Sequence, residues 1–180
     1  MKLVILYGQE ATGKLTVGKH ISTQTGFNLF HNHLSVQVAM CLYPYGDPRY
    51  DDLVVRVRLL AFESAAKNRL PGLIFTWAYT HPECFHHFQL IQETLATYDV
   101  EICLVHLHCS QKALESRVTS EERRELGKIS DVEGLHRQQH RKNCVEIPDH
   151  NSLVLDTTNI RPEDAAKNVV NHYDLLTTGA

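Results

Sequence analysis

The stretch Gly8-Gln9-Glu10-Ala11-Thr12-Gly13-Lys14-Leu15-Thr16 constrains this chain more than any other. It follows the apolar run Leu3-Val4-Ile5-Leu6-Tyr7 and leads into Thr12–Gln24, where Leu15, Val17 and Ile21 mark a helix. A short apolar run that stops at a glycine reads as a buried strand, so these residues join a strand to a helix. In that setting Gly8 and Gly13 let the backbone curl and point successive N–H groups inward at a polyphosphate. The helix N-terminus adds partial positive charge, and Lys14 reaches the outer phosphates. The residue after Lys14 is Leu15, and the hydroxyl comes one later, at Thr16, so Mg²⁺ is expected to be held there largely through water. Gly8, Gln9, Glu10, Ala11, Thr12, Gly13, Lys14, Leu15 and Thr16 are the candidate nucleotide-binding residues.

The rest of the chain alternates strands and helices. Strands are expected at 2–7, 28–31, 73–78, 100–107 and 152–155, and helices at 34–42, 51–68, 82–97, 111–118, 131–142 and 162–173. The long helix places Leu53, Val54, Val57, Leu60, Ala61 and Ala65 at three- and four-residue spacing. Apolar strands separated by helices make a parallel sheet covered on both faces, with the site outside the carboxyl ends of the strands. A length of 180 residues suits a single domain over 1–180. With 43% hydrophobic and 22% charged residues, the chain is neither disordered nor fibrous. A net charge of -3, from 18 basic and 21 acidic residues, makes nucleic-acid binding no default. No apolar run is long enough for a membrane span, and Gly8-Gln9-Glu10 interrupts the first one where a leader would continue. The five cysteines are odd in number and include no CxxC pair, so free thiols and a cytoplasmic location are expected.

From Met1 to Tyr173 the sequence resembles the small P-loop kinases: shikimate kinase, chloramphenicol phosphotransferase and adenylate kinase. It is most similar to uncharacterised bacterial shikimate-kinase-like P-loop ATPases. The likeness rests on the loop, on Arg117 with Arg123-Arg124-Glu125-Leu126-Gly127, and on Leu153-Val154-Leu155-Asp156-Thr157-Thr158. It implies a three-layer α/β/α P-loop NTPase fold with sheet order 2-3-1-4-5, and a lid. The activity it implies is transfer of the ATP γ-phosphate, with Mg²⁺, to a hydroxyl of a small-molecule acceptor. The lid falls at about 119–130, with Arg124 ahead of Arg123 as the closing cation. Arg117 is placed to stack on adenine, with Asp156 and Thr157 also on the nucleotide side. Helices over about 34–69 cover the acceptor. The chain is expected to work as a monomer or homodimer.

The acceptor side departs from that family. Where shikimate kinases carry Asp-x-Asp after the second strand, this chain has His31-Asn32-His33. Trp77-Ala78-Tyr79-Thr80 replaces their glycine-rich turn, so shikimate is not the expected acceptor. A neutral imidazole can accept a proton near pH 7, which makes His33 the candidate base beside Lys14 and Arg124 as catalytic residues. If the strand ran on, His31 and His33 would share a face with Asn32 opposite. Arg49, Arg56 and Arg58 flank the long helix, and at most one of Arg56 and Arg58 points inward. His31, Asn32, His33, Arg56 and Tyr79 are the candidate acceptor residues.

His106/His108 with Cys109, His136/His140 and His31/His33 have chelating spacings, yet no set of four zinc ligands assembles from them. Two alternatives stay open: a nucleoside or nucleotide kinase, and a nucleotide-binding protein without phosphotransfer, favoured by the missing acidic pair.

Overall fold

A computed structural model describes residues 1–125, 127–141 and 143–176, the side chain at position 122 excepted. Strands β1 (Lys2–Tyr7), β2 (Asn28–His31), β3 (Gly72–Trp77), β4 (Glu101–His108) and β5 (Leu153–Asp156) form one parallel sheet in the order β2-β3-β1-β4-β5. The helices between them are α1 (Lys14–Thr25), α2 (Asn32–Met40), α3 (Pro48–Lys67), α4 (Phe85–Leu95), α5 (Gln111–Val118), α6 (Glu121–Glu125), α7 (Val132–Arg141) and α8 (Pro162–His172). This is the expected α/β architecture and strand order. The chain runs from β1 toward β2 and β3 on one side, then crosses to β4 and β5 on the other. The loop after β1 therefore stands at the switch point, where open parallel sheets form their crevice.

Strand alternation divides the core in two. Leu3, Ile5 and Tyr7 face α3 and α4 and pack with Phe62, Phe75, Phe88 and Ile91. Val4 and Leu6 face α1 and α8 and pack with Val17, Ile21, Val169 and Val170. Burial on both faces explains why β1 reads as a continuous apolar run.

Three local differences from the expected elements bear on the site. Strand β2 stops at His31, and α2 starts at Asn32, two residues early. The Asn32 amide donates to Thr76 Oγ1 (3.2 Å), and Ser35 Oγ donates to the Asn32 carbonyl (2.8 Å), which turns the chain into the helix there. His31 and His33 therefore do not share a strand face. Helix α3 starts at Pro48 rather than Asp51, because Asp47 caps it by accepting from the Arg49 amide (2.9 Å) and proline suits the first turn. Its buried face is Tyr50, Val54, Arg58, Phe62, Ala65 and Ala66, whereas Leu60 is exposed. Within the polar stretch 119–130 lies the short helix α6. Among the described residues no helix is long and apolar enough to cross a membrane.

Candidate active site

The loop between β1 and α1 is wound as its sequence requires. Gly8 has φ +136°, and a Cβ there would sit 2.1 Å from the Leu107 carbonyl oxygen, so only glycine lets β1 turn away beside β4. Gly13 (φ +90°) caps α1 with its backbone alone. Thr12 Oγ1 donates to the Gln9 carbonyl (2.9 Å) and Val17 N to the Gly13 carbonyl (2.9 Å), closing the curl. Lys14 folds back over it: Nζ donates to the carbonyls of Gly8 (2.8 Å) and Gln9. Burial pushes the Lys14 ammonium down to about 8, against the pull of Glu10. The curl thus presents an ammonium on a bed of carbonyl oxygens at the N-terminal end of α1. Leu15 and Thr16 form the first turn of α1, and both are partly buried.

On the β4–β5 side, Thr157 ties three parts together. Its N–H donates to the His108 carbonyl (2.8 Å), and its hydroxyl lies 3.0 Å from the Thr12 carbonyl and 3.1 Å from that of His108. Arg117 donates to Thr157 Oγ1 (3.2 Å) and to the carbonyls of Thr157 (2.6 Å) and Thr158 (3.2 Å). Asp156 accepts from the Thr158 amide (2.8 Å), which shapes this turn. Ser110, Ala113, Ser116, Arg117, Thr158 and Asn159 line an open cavity of about 400 Å³. The sequence-predicted Arg117, Asp156 and Thr157 are thus brought together beside the loop.

The two arginines in the stretch expected to form the lid part company. Arg124 is exposed and pairs with Glu121 (3.8 Å) one helical turn back. Arg123 is half-buried, donates from Nε to the Ile129 carbonyl (2.9 Å), and lies within the field of Glu10 and Lys14. Of the two, Arg123 is therefore the cation on the loop side. Lys128, which the motif did not single out, acts on Lys14, His31 and His33 alike. Leu126 lies outside the described residues.

Burial lowers the pKa of both His31 and His33, and Lys128 adds to it; His33 comes down to about 4. Nδ1 of His31 is buried with no hydrogen-bond partner. The strand end thus places neutral imidazoles beside Lys128 and Arg123, in a setting suited to bound negative charge.

The inward arginine of α3 is Arg58, not Arg56. Arg56, expected on the acceptor side, is exposed and pairs with Asp52 (3.6 Å). Arg58 is only 8% exposed; it donates from Nε to Ser35 Oγ (3.2 Å) and from Nη2 to Asn32 Oδ1, and lies over the rings of Phe75 (5.5 Å) and Trp77 (5.9 Å). Burial pushes this guanidinium down to about 10. Among the described residues no carboxylate pairs with it within 4.0 Å. A signal was present in the sequence: Tyr50, Val54, Arg58 and Phe62 recur every four residues, so Arg58 lies on the apolar stripe and Arg56 does not. Tyr79 is fully buried; it packs on Tyr7 and Trp77, and its hydroxyl pairs with His81 Nδ1 (3.2 Å). Its side chain is thus enclosed in the core rather than open to the sheet edge. Among the described residues no three His, Cys, Asp or Glu side chains converge to hold a metal ion.

No protein-family model matches the sequence, and no curated protein matches it. Solved structures do. A sugar kinase from Janibacter sp. HTCC2649 superposes with TM-score 0.70 at 17% identity, over 98% of this chain and 99% of that one. An APS kinase from Mycobacterium tuberculosis, solved with AMPPNP and APS, gives 0.64 at 14% identity over 96% and 97%. A shikimate kinase from Acinetobacter baumannii, in complex with shikimate, gives 0.58 at 15% identity over 95% and 92%. The chain has the fold of the P-loop kinases. At these identities the likeness carries the fold alone.

Proposed function

We propose that this chain is an ATP-dependent phosphotransferase acting on a hydroxyl of a small molecule that also carries an anionic group. The observation that carries the acceptor class is Arg58. A guanidinium buried against two rings, with a hydroxyl and an amide as its hydrogen-bond partners among the described residues and Asp51 acting on it only from beyond contact, has lost hydration without gaining a counter-charge in contact. A carboxylate, phosphate or sulfate on the acceptor supplies that charge in bidentate form. Asn32, the middle residue of the His31-Asn32-His33 stretch that replaces Asp-x-Asp, accepts from Arg58 without neutralising it.

On the donor side, the N–H groups of the loop and Lys14 bind the phosphate chain, and Arg117 with the 156–158 turn lines the base. Arg123 and Lys128 answer the charge that builds on the transferring phosphoryl group. Mg²⁺ neutralises phosphate charge when bound; Thr16 is the residue that would help hold it, with phosphate oxygens and water completing its shell. His33 is a weak base at about 4, and adjacent polyphosphate raises that value by favouring the imidazolium. A loose transition state asks little of a base, so this suffices for transfer.

A second reading, nucleotide binding without transfer, is favoured by the missing strand-end acid and by the low basicity of His33. Both are separated by ADP release from ATP over a panel of hydroxylated carboxylates, phosphates and sulfates, with neutral sugars for contrast. The kinase reading expects turnover with one or more anionic acceptors, lost in Lys14→Ala. ATP binding with no ADP release over the whole panel supports the second reading instead.

A further inference from the structure

Helices α5 and α7 leave and re-enter the lid, and a ladder of side-chain amides joins them to each other and to the phosphate loop. Gln139 Nε2 on α7 donates to Gln111 Oε1 on α5 (2.8 Å) and to Gln9 Oε1 in the loop (3.3 Å). Gln111 Nε2 faces Glu115 Oε1 (2.9 Å) and Gln139 Oε1 (3.3 Å), and Glu115 also meets His136 Nε2 (2.8 Å). Beneath these contacts, Ala11 at the crest of the loop packs with Leu114 and Val118 of α5 and Leu135 of α7. Ile129 and Val132, at the return of the lid, close the same cluster. Ala11 holds φ +64°, a conformation that needs support from its neighbours.

We infer that Gln139 is a positioning residue for the nucleotide site, fixing the phosphate loop to the helix that carries the lid back, through its amide on Gln9. The inference rests on the nucleotide-binding reading above. Its physical content is preorganisation. The loop binds phosphate through N–H groups that must already point inward, and a loop held on only its strand side loses affinity to the cost of ordering it. The apolar packing of Ala11 sets the depth of the loop, but it is not directional. The Gln9–Gln139 hydrogen bond sets its orientation. Gln139 also holds α5 through Gln111, so the same side chain ties the loop to both helices.

The test is calorimetric titration of ATP and ADP into the parent, Gln139→Ala, Gln9→Ala and the double variant, with Lys14→Ala as the control for the site itself. Gln139→Ala is expected to weaken both nucleotides about three- to tenfold, the size of one neutral hydrogen bond. Gln9→Ala is expected to match it, and the double variant to be no worse than either. Hydrogen exchange of the unliganded proteins adds a readout that general destabilisation does not produce: faster exchange confined to the amides of residues 9–13, with the melting temperature nearly unchanged. Unchanged affinities in Gln139→Ala, or effects that multiply in the double variant, overturn the inference while leaving the nucleotide reading intact. A parent that binds neither nucleotide overturns that reading and this inference with it.

Discussion

Lys14 and Arg58 are both cations drawn out of water, and they are held in opposite ways. Lys14 rests on carbonyls of its own loop, at residues 8 and 9, so near neighbours in the chain supply its hydrogen-bond partners among the described residues. Arg58 is held by residues far from it in sequence, Asn32 and Ser35, and roofs the rings of Phe75 and Trp77. The first arrangement is local and follows from a motif. The second exists only once α2, α3 and β3 have packed. Under the proposed phosphotransfer function, the difference teaches where each half of such a site stores its specificity: a donor half that binds a ligand common to many proteins is served by a portable loop, and an acceptor half that binds something particular is served by the tertiary core.

The contrast breaks most readily at Lys14. Lys14→Ala should cost about 100-fold or more in ATP affinity, since two or more charge-assisted contacts go at once. Calorimetry should show this with the unliganded melting temperature little changed. A variant that still binds ATP as the parent does would remove the local half of the comparison. Arg58→Met probes the other half. Turnover with an anionic acceptor should fall about 100-fold while ATP affinity holds, because the lost partner is the acceptor's charge. The same variant should melt at or above the parent temperature, since a well-packed apolar chain in place of a buried cation is often neutral or stabilising. A clear loss of stability would mean that Arg58 is a structural anchor.

A pH titration sharpens the comparison further. The Lys14 value of about 8 belongs to the free site, and bound polyphosphate raises it by favouring the ammonium. Binding therefore takes up a proton once the free amine forms. ATP affinity should be flat below about pH 8 and then weaken with rising pH, approaching about tenfold per unit. Lys14→Arg should abolish that fall. Arg58, at about 10, stays charged over the same range, so the KM of an anionic acceptor should not follow it. The smallest expected contrast lies within the lid. Arg123→Ala should lower turnover by about tenfold or more, whereas Arg124→Ala should stay within about twofold of the parent, as expected for an exposed, solvent-screened pair. Equal losses in the two would mean that lid closure brings Arg124 inward.

The sequence by itself determined the parts whose physics is local. The strand–glycine–helix order around residues 8–16 specifies the phosphate curl, because glycine geometry and a helix N-terminus need only near neighbours. Apolar runs alternating with helical spacing sufficed for the parallel sheet, and the resemblance for its order. The four-residue recurrence of Tyr50, Val54, Arg58 and Phe62 already sets Arg58 apart from Arg56, but only the tertiary structure decided what Arg58 meets there, and which of the adjacent Arg123 and Arg124 lies toward the loop. It also ended β2 at His31, through the Asn32–Thr76 contact with β3, which no strand periodicity contains. It placed Tyr79 inside the core and Gln139 against Gln9 across 130 residues of chain. The reason is common to all of these. Which way a long polar side chain turns depends on the free energy of burying it against particular partners, and those partners are set by packing between elements distant in sequence.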